Sequence, residues 1–281
     1  LHYSKERVQG KLPDSENVAD PIIVHPEIRK NLMFMKSMND GIRGLMLKAG
    51  HAFDIIESDQ NEELTKSSDN LIALLTPILK SFATDKSMEI TNQALQIYGG
   101  HGYITDHGME QLVRDARITP IYEGTNGIQA LDLIGRKFNI HNGLIINQYL
   151  DEINKFLEDN KDDKKLHKFI KLFNPSYNDL KESIKFIKEI PLNSTQEINS
   201  HAVDLLNLFA LVAVGFTWLE FIHVSITKTE DQDDDFYLAK IQLGEFYLTK
   251  VILETQKFKN NIISSGKLYN EFQDKYFEVG I

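Results

Sequence analysis

Apolar residues recur along most of this chain at steps of three and four, the period of one face of an α-helix. The longest such series, Ile28, Leu32, Met35, Met38, Ile42, Leu45, Ala49, Phe53 and Ile56, predicts a helix entered at Pro26, where a missing N–H costs nothing. After the polar stretch from Ser58 to Ser68, a second series (Leu71, Leu74, Leu75, Ile78, Leu79, Phe82) predicts another helix, with a kink at Pro77. A third is expected to start near Asp85 and to stop at Gly99-Gly100, since glycine takes the left-handed conformation that ends helices. A short run from Met109 to Arg117 follows, then a helix with Thr125 as N-cap that carries Ile128, Leu131 and Ile134 and fades over 139–143.

Farther on, Ile145, Ile146, Tyr149, Leu150, Ile153, Phe156 and Leu157 form a new apolar face, and Tyr177, Leu180, Ile184 and Ile187 form another between Pro175 and Pro191. Two long helices are expected over about 196–228 and 235–262, joined by the acidic run from Asp231 to Asp235. Residues 1–20, with Pro13, Asp14, Ser15 and Asn17, read as a turn-rich connection. There is no β alternation and no repeat of fixed period. The expected fold class is therefore all-α, with a helical bundle in residues 1–140 followed by a second bundle in 141–281.

Composition narrows the function. The 281 residues, 42% hydrophobic and 26% charged, suffice for a packed core and about two domains. A formal charge of -10 leaves no global basic footprint, which argues against nucleic acid and anionic membranes as partners. Zero cysteines exclude disulfides, thiol nucleophiles, iron–sulfur clusters and cysteine zinc sites, and fit a cytoplasmic location. The one candidate membrane segment, Leu205 to Leu219, is shorter than a typical span of about 20 residues and is interrupted by Asn207, so it reads as a buried helix. The chain opens at Leu1 on Lys5-Glu6-Arg7 with neither an initiator methionine nor an apolar signal core, and reads as a fragment.

Candidate chemistry gathers between Gly99 and Gly127, which hold six of the 16 glycines. Such clustering brings backbone close to something. Glu123 lies on a loop between two helices, beside Ile121 and Tyr122 and before Gly124 and Thr125. Partly apolar surroundings raise a carboxyl pKa and make the group a better proton acceptor; a solvated loop glutamate is the alternative. His101 and His107 flank Asp106, but without a third ligand they point to no metal.

Four segments taken together carry a resemblance: Tyr3-Ser-Lys-Glu-Arg-Val-Gln9, Gln96-Ile-Tyr-Gly-Gly-His-Gly-Tyr103, Arg114-Asp-Ala-Arg117 and Ile121-Tyr-Glu-Gly-Thr-Asn-Gly-Ile-Gln129. In order, spacing and residue type they resemble the C-terminal signature of the acyl-CoA dehydrogenase family, over roughly residues 1–138. The resemblance is to that family's C-terminal helical domain alone, without its upstream N-terminal helical domain and middle β-domain. The link from Lys11 to Pro21, the Pro-Ile-Ile-x-His-Pro entry at Pro21 and about 140 residues beyond Phe138 look like an extended bacterial subgroup with an added C-terminal helical domain. For that extension a packing role is expected.

What the resemblance implies is an FAD-dependent oxidation of an acyl-CoA to its trans-2-enoyl-CoA, as in fatty acid β-oxidation. Glu123 takes the α proton and FAD the β hydride, while a backbone N–H of the base residue and a flavin ribityl hydroxyl polarise the thioester carbonyl. Arg7, Gln96 and Gly100 match positions that contact the pyrophosphate and adenosine of a neighbouring subunit's FAD. Thr125 matches a position near the subunit's own flavin, and Tyr122 and Gly124 flank the base on the substrate side. A homodimer or tetramer with FAD at the interface, and an electron-transfer flavoprotein as acceptor, are implied in the same way. The fragment alone is expected to be inactive. Two departures stand out: Arg7 is followed by Val8-Gln9-Gly10-Lys11 where the family often has Arg-x-x-Phe-Gly, and Gly127 stands where many members carry glutamine. The alternatives are an acyl-CoA oxidase of the same fold and a non-catalytic helical interaction domain.

Overall fold

The computed structural model describes residues 1–58, 61–138, 143–231, 234–264 and 266–280. A short helix α1 (His2–Glu6) precedes α2 (Pro26–Ser58), which runs as its periodicity requires and buries Phe34, Met38, Ile42 and Leu45. Packed along it is α3 (Glu62–Tyr98), opened by the Asn61 side chain, which accepts from the N–H groups of Glu63 and Leu64. One helix stands here where two were expected. Polarity near Asp85 does not end it, because the segment holds no glycine and its one proline, Pro77, is buried among Leu74, Leu75, Ile78 and Phe82. Glycine arrives only at Gly99, whose φ of +57° closes the helix at the expected place.

The chain continues through α4 (Gly100–Tyr103) and α5 (Met109–Arg117) to α6 (Asn126–Leu131), which runs on as a π-type turn over Asp132–Lys137. Thr125 occupies the N-cap position, but its hydroxyl makes no capping bond. The expected fading over 139–143 lies largely outside the described residues.

Beyond the turn come α7 (Leu144–Asp159), α8 (His167–Glu189), α9 (Thr195–Ser200), α10 (Ala202–Asp231), α11 (Asp235–Phe246), α12 (Thr255–Ile263) and α13 (Lys267–Glu271). Pro175, expected to bound α8, lies inside it, because Phe169, Ile170 and Phe173 extend the buried face toward the N-terminus. The helix expected over 196–228 divides at His201 into α9 and α10, and the one expected over 235–262 is interrupted by π and 3-10 turns at Tyr247–Val251 and Ile252–Glu254. Of the acidic connection, 232–233 lie outside the described residues; Asp234 caps α11 through the Phe236 N–H at 2.7 Å. Among the described residues there is no strand, only an isolated bridge between Val8 and Pro21. The division expected at 140/141 also falls outside the described residues, and one continuous buried core runs from Phe34 to Ile262.

The axis of that core is α10. The apolar segment proves longer than its expected bounds: Ala202–Thr229 is long and apolar enough to cross a membrane, and 83% of its apolar window is buried inside the fold. Glycines let α2 approach it. A Cβ added at Gly41 would sit 2.6 Å from Val214 Cγ1 and 2.7 Å from Trp218 Nε1, and one at Gly44 would collide with Phe221 and Thr217. The Trp218 indole donates to the Ser37 carbonyl at 3.1 Å, and both residues are buried. Around the rim, Lys240 pairs with Asp40 at 2.7 Å, while Lys48 bridges Glu152 at 2.6 Å and Glu220 at 3.0 Å.

This packing separates two glycines of one helix. Gly50 faces open space, so Gly50→Ala gains helix propensity and should stabilise the fold by about 0.5–1 kcal/mol. Gly41→Ala overpacks the α10 contact and should cost about 1–3 kcal/mol despite the same propensity gain. Thermal denaturation followed by circular dichroism should show shifts of opposite sign; a rise in both would mean that α2 and α10 are farther apart than described.

Candidate active site

The N-terminal segment is more ordered than a turn-rich connection. Its hub is the buried carboxylate of Asp20, which accepts from the Leu12 N–H at 2.8 Å, the Ser15 hydroxyl at 2.6 Å and the Asn17 side chain at 2.7 Å. These bonds, that from Ser15 foremost, hold its pKa down to about 2. Backbone bonds from Gln9 to Asp20, from Asp20 to Gly10 and from Ile22 to Arg7 fold the segment back on itself. His25 Nε2 donates to the Gln9 carbonyl at 2.7 Å.

Tyr3 then docks α1 on the end of α3. Its ring stacks on Tyr98 at 4.2 Å, and its hydroxyl donates to the Tyr98 carbonyl at 3.1 Å and lies 2.8 Å from His101 Nδ1. Between α1 and the end of α3 opens a cleft of about 670 Å³ lined by Arg7, Gln96 and Gly100 together with Gly10, His25 and Gly99. The Arg7 guanidinium is exposed and forms no ion pair with any described residue. Gly100 has an ordinary φ, and a Cβ there would meet nothing within 4 Å, so its lack of a side chain leaves room only toward the outside of the chain.

Glu123 belongs to a separate loop between α5 and α6, closed by the Asn126 N–H donating to the Pro120 carbonyl at 3.1 Å. Its φ of +56° makes it the one non-glycine residue in the left-handed region among the described residues, and Gly124 follows at +81°. For a residue with a Cβ that conformation costs roughly 1–2 kcal/mol, so something must hold it. Gln129 Nε2 donates to the Glu123 carbonyl at 3.1 Å, and Lys80 Nζ donates to the Gly124 carbonyl at 2.7 Å and to Asn126 Oδ1 at 2.9 Å. The Asn126 amide is fastened to α3 in turn, at the Ser81 carbonyl, the Thr84 hydroxyl and, at 2.7 Å, the Asp85 carboxylate.

Tyr122, Glu123, Gly124 and Thr125 are all exposed. The partly apolar enclosure expected around Glu123 is not built by this chain. Ile118, Ile121, Tyr122 and Ile128, in and beside the loop, are each about half exposed. None of these residues lines the Arg7 cleft, so the expected site residues fall into two groups. Asp20, Tyr3, Lys80, Asn126 and Gln129 carry structural roles that sequence reasoning missed. For Asn126 and Gln129 the signal was their place in the Glu123 segment, for Asp20 the surrounding Pro, Ser and Asn; Lys80, 44 residues from its acceptor, had none.

The Asp20 hub has a pH signature. Its pKa is lowered on folding, so its contribution is complete above about 4, the ordinary carboxyl value, and is lost as pH falls through about 2. In an NMR titration the Leu12 amide should shift with a midpoint near 2 and lose that transition in Asp20→Asn. A midpoint near 4 would show that the bonds to Ser15 and Asn17 do not form in solution.

Residues 14–138 match the family model for the acyl-CoA dehydrogenase C-terminal domain, and residues 149–272 match that described as acetyl-CoA dehydrogenase C-terminal like. The 3-methylmercaptopropionyl-CoA dehydrogenase of Ruegeria pomeroyi is 41% identical over 138 residues, covering 49% of this chain and 23% of that protein. A butyryl-CoA dehydrogenase of Syntrophomonas wolfei is 26% identical over 260 residues, 90% of this chain and 42% of that protein. Caenorhabditis elegans ACDH-11, solved in complex with C11-CoA, shares the fold with a TM-score of 0.74 at 19% identity, over 99% of this chain and 43% of its own. An acyl-CoA dehydrogenase from Bacillus anthracis complexed with FAD does so with a TM-score of 0.73 at 17% identity, over 99% and 46%. The chain spans less than half the length of each of these relatives.

Proposed function

We propose that this chain, which belongs to the acyl-CoA dehydrogenase family, is the C-terminal part of a flavoenzyme that oxidises an acyl-CoA thioester to its trans-2-enoyl-CoA. The observation that carries the reading is the loop of Glu123: a glutamate whose backbone is held in a left-handed conformation by two side-chain clamps, on a loop whose neighbouring apolar residues Ile118, Ile121, Tyr122 and Ile128 are each about half exposed. Strain maintained by surrounding bonds is the mark of a positioned group. Once the rest of the protein covers these apolar residues, water is excluded and the carboxylate becomes a stronger base toward a substrate α proton.

Glu123 accepts that proton. Its backbone N–H has no acceptor among the described residues and is available to the thioester carbonyl, where it would stabilise charge developing on oxygen. FAD, when bound, supplies the acceptor for the hydride lost from the β carbon. Arg7, Gln96 and Gly100 would hold its diphosphate and adenosine portion, since an unpaired guanidinium, a primary amide and bare backbone in one cleft suit a dinucleotide anion. Thr125 and Gly124 adjoin the base, and Tyr122 lines the acyl side. Because the cleft and the base loop are separate, one chain serves two flavins, which supports a homodimer or tetramer with the cofactor between subunits. An electron-transfer flavoprotein as electron acceptor and a cytoplasmic location complete the reading.

Two measurements on the full-length protein test it. Anaerobic addition of acyl-CoAs should bleach the flavin, and Glu123→Gln should slow bleaching by about 10³-fold while leaving acyl-CoA affinity nearly unchanged, the scale expected for a lost general base. Undiminished bleaching would place the base elsewhere, and peroxide release in air without another acceptor would turn the assignment to an oxidase. Arg7→Gln should weaken FAD retention by about 10-fold or more, as for a lost charge-assisted bond of about 1.5–3 kcal/mol; equal retention on gel filtration would remove Arg7 from the cofactor site.

A further inference from the structure

The bonding of the loop carries one step more. Lysines 36, 48, 86, 155, 240 and 259 each pair with a carboxylate. Lys80 does not: its half-buried ammonium has two neutral acceptors, the Gly124 carbonyl and Asn126 Oδ1, and no described acidic partner. Gln129 likewise directs its amide to the Glu123 carbonyl and packs close beside Gly124, whose Cβ would fall 3.1 Å from Gln129 Nε2. The two successive carbonyls of the left-handed pair are thus held from within the chain. The N–H groups of Glu123, Gly124 and Thr125 have no described acceptor.

We infer that Lys80 and Gln129 are the positioning residues of the base loop, setting the left-handed Glu123–Gly124 pair and thereby the direction of the Glu123 carboxylate and of the adjacent N–H donors. The inference rests on the reading of Glu123 as the base. A carbonyl that accepts a hydrogen bond strengthens the N–H of its own peptide, so Gln129 polarises the Gly124 N–H and Lys80 the Thr125 N–H. Attachment of α6 to α3 does not require Lys80, because Asn126 holds it through Ser81, Thr84 and Asp85. Lys80 therefore acts on the loop rather than on the fold.

The test uses the full-length protein with Lys80→Met, Lys80→Arg, Gln129→Met and, as reference, Glu123→Gln. The first readout is exchange of the substrate α proton with solvent deuterium, measured on an acyl-CoA analogue that cannot lose a β hydride. Lys80→Met should lower this rate by about 10–100-fold, the scale of a misaligned reacting group, while analogue affinity stays within about threefold. Lys80→Arg should recover much of the rate, because a cation that can reach the carbonyl is retained. A second readout is independent of flavin: amide exchange at Asn126, whose N–H closes the loop, should quicken in Lys80→Met with little change in the thermal midpoint. Unchanged proton exchange together with unchanged Asn126 protection would overturn the inference. Should Lys80→Met fail to fold, Gln129→Met, which removes only the clamp on the Glu123 carbonyl, decides it by the same two readouts. If Glu123→Gln itself leaves α-proton exchange intact, the reading of the base fails; if it abolishes exchange while the Lys80 and Gln129 variants behave as wild type, that reading stands and this inference falls.

Discussion

The approach of α2 to α10 is the constraint from which the remaining architecture follows. Between Leu208 and Leu219, α10 is buried on every side, so a helix with no face for water must be enclosed by others. Gly41 and Gly44 let α2 come close enough to contribute backbone to that enclosure, and the Trp218 indole uses the proximity to satisfy its N–H on a main-chain carbonyl. With α2 placed, α3 is placed along it. The two matched sequence regions thereby share one interior.

From α3 the order reaches the proposed chemistry. This one helix carries both Lys80, which grips the Glu123 loop, and Gln96, which lines the cleft; they are sixteen positions apart, about 24 Å along the axis. A break near Asp85 would have left the two places free to move against each other. Instead a rigid rod sets their spacing, and short polar contacts attach the loops to it: Asn126 and Lys80 at one position, the Tyr3 hydroxyl at the other. Loops can hold groups this firmly only when their polar atoms are bonded to a regular element.

Much of this was legible beforehand, for definite reasons. The stripe from Ile28 to Ile56 specified α2, because only a helix gathers those positions on one face, and Gly99 marked the end of α3 because glycine takes a helix-ending positive φ at little cost. The continuity of α3 and α8 was not legible: a polar stretch near Asp85 and the proline at 175 read as boundaries unless burial of the neighbouring apolar residues outweighs them, and burial is a property of the whole molecule. Nor could the Asp20 hub be read, since its partners act through folded geometry rather than through a periodic pattern. The Lys80 bond to the Gly124 carbonyl joins segments far apart in the chain, and the exposure of Glu123 is a property of the folded surface; neither leaves a mark in local sequence pattern.

The left-handed backbone at position 123 also limits what evolution can try there. Asparagine, aspartate and glycine enter that conformation readily, whereas valine, isoleucine and threonine resist it. A lineage released from any demand on this carboxylate would therefore drift toward glycine or asparagine, which relieve the backbone. A β-branched side chain at this position would meet the resistance of the backbone before any question of chemistry arose.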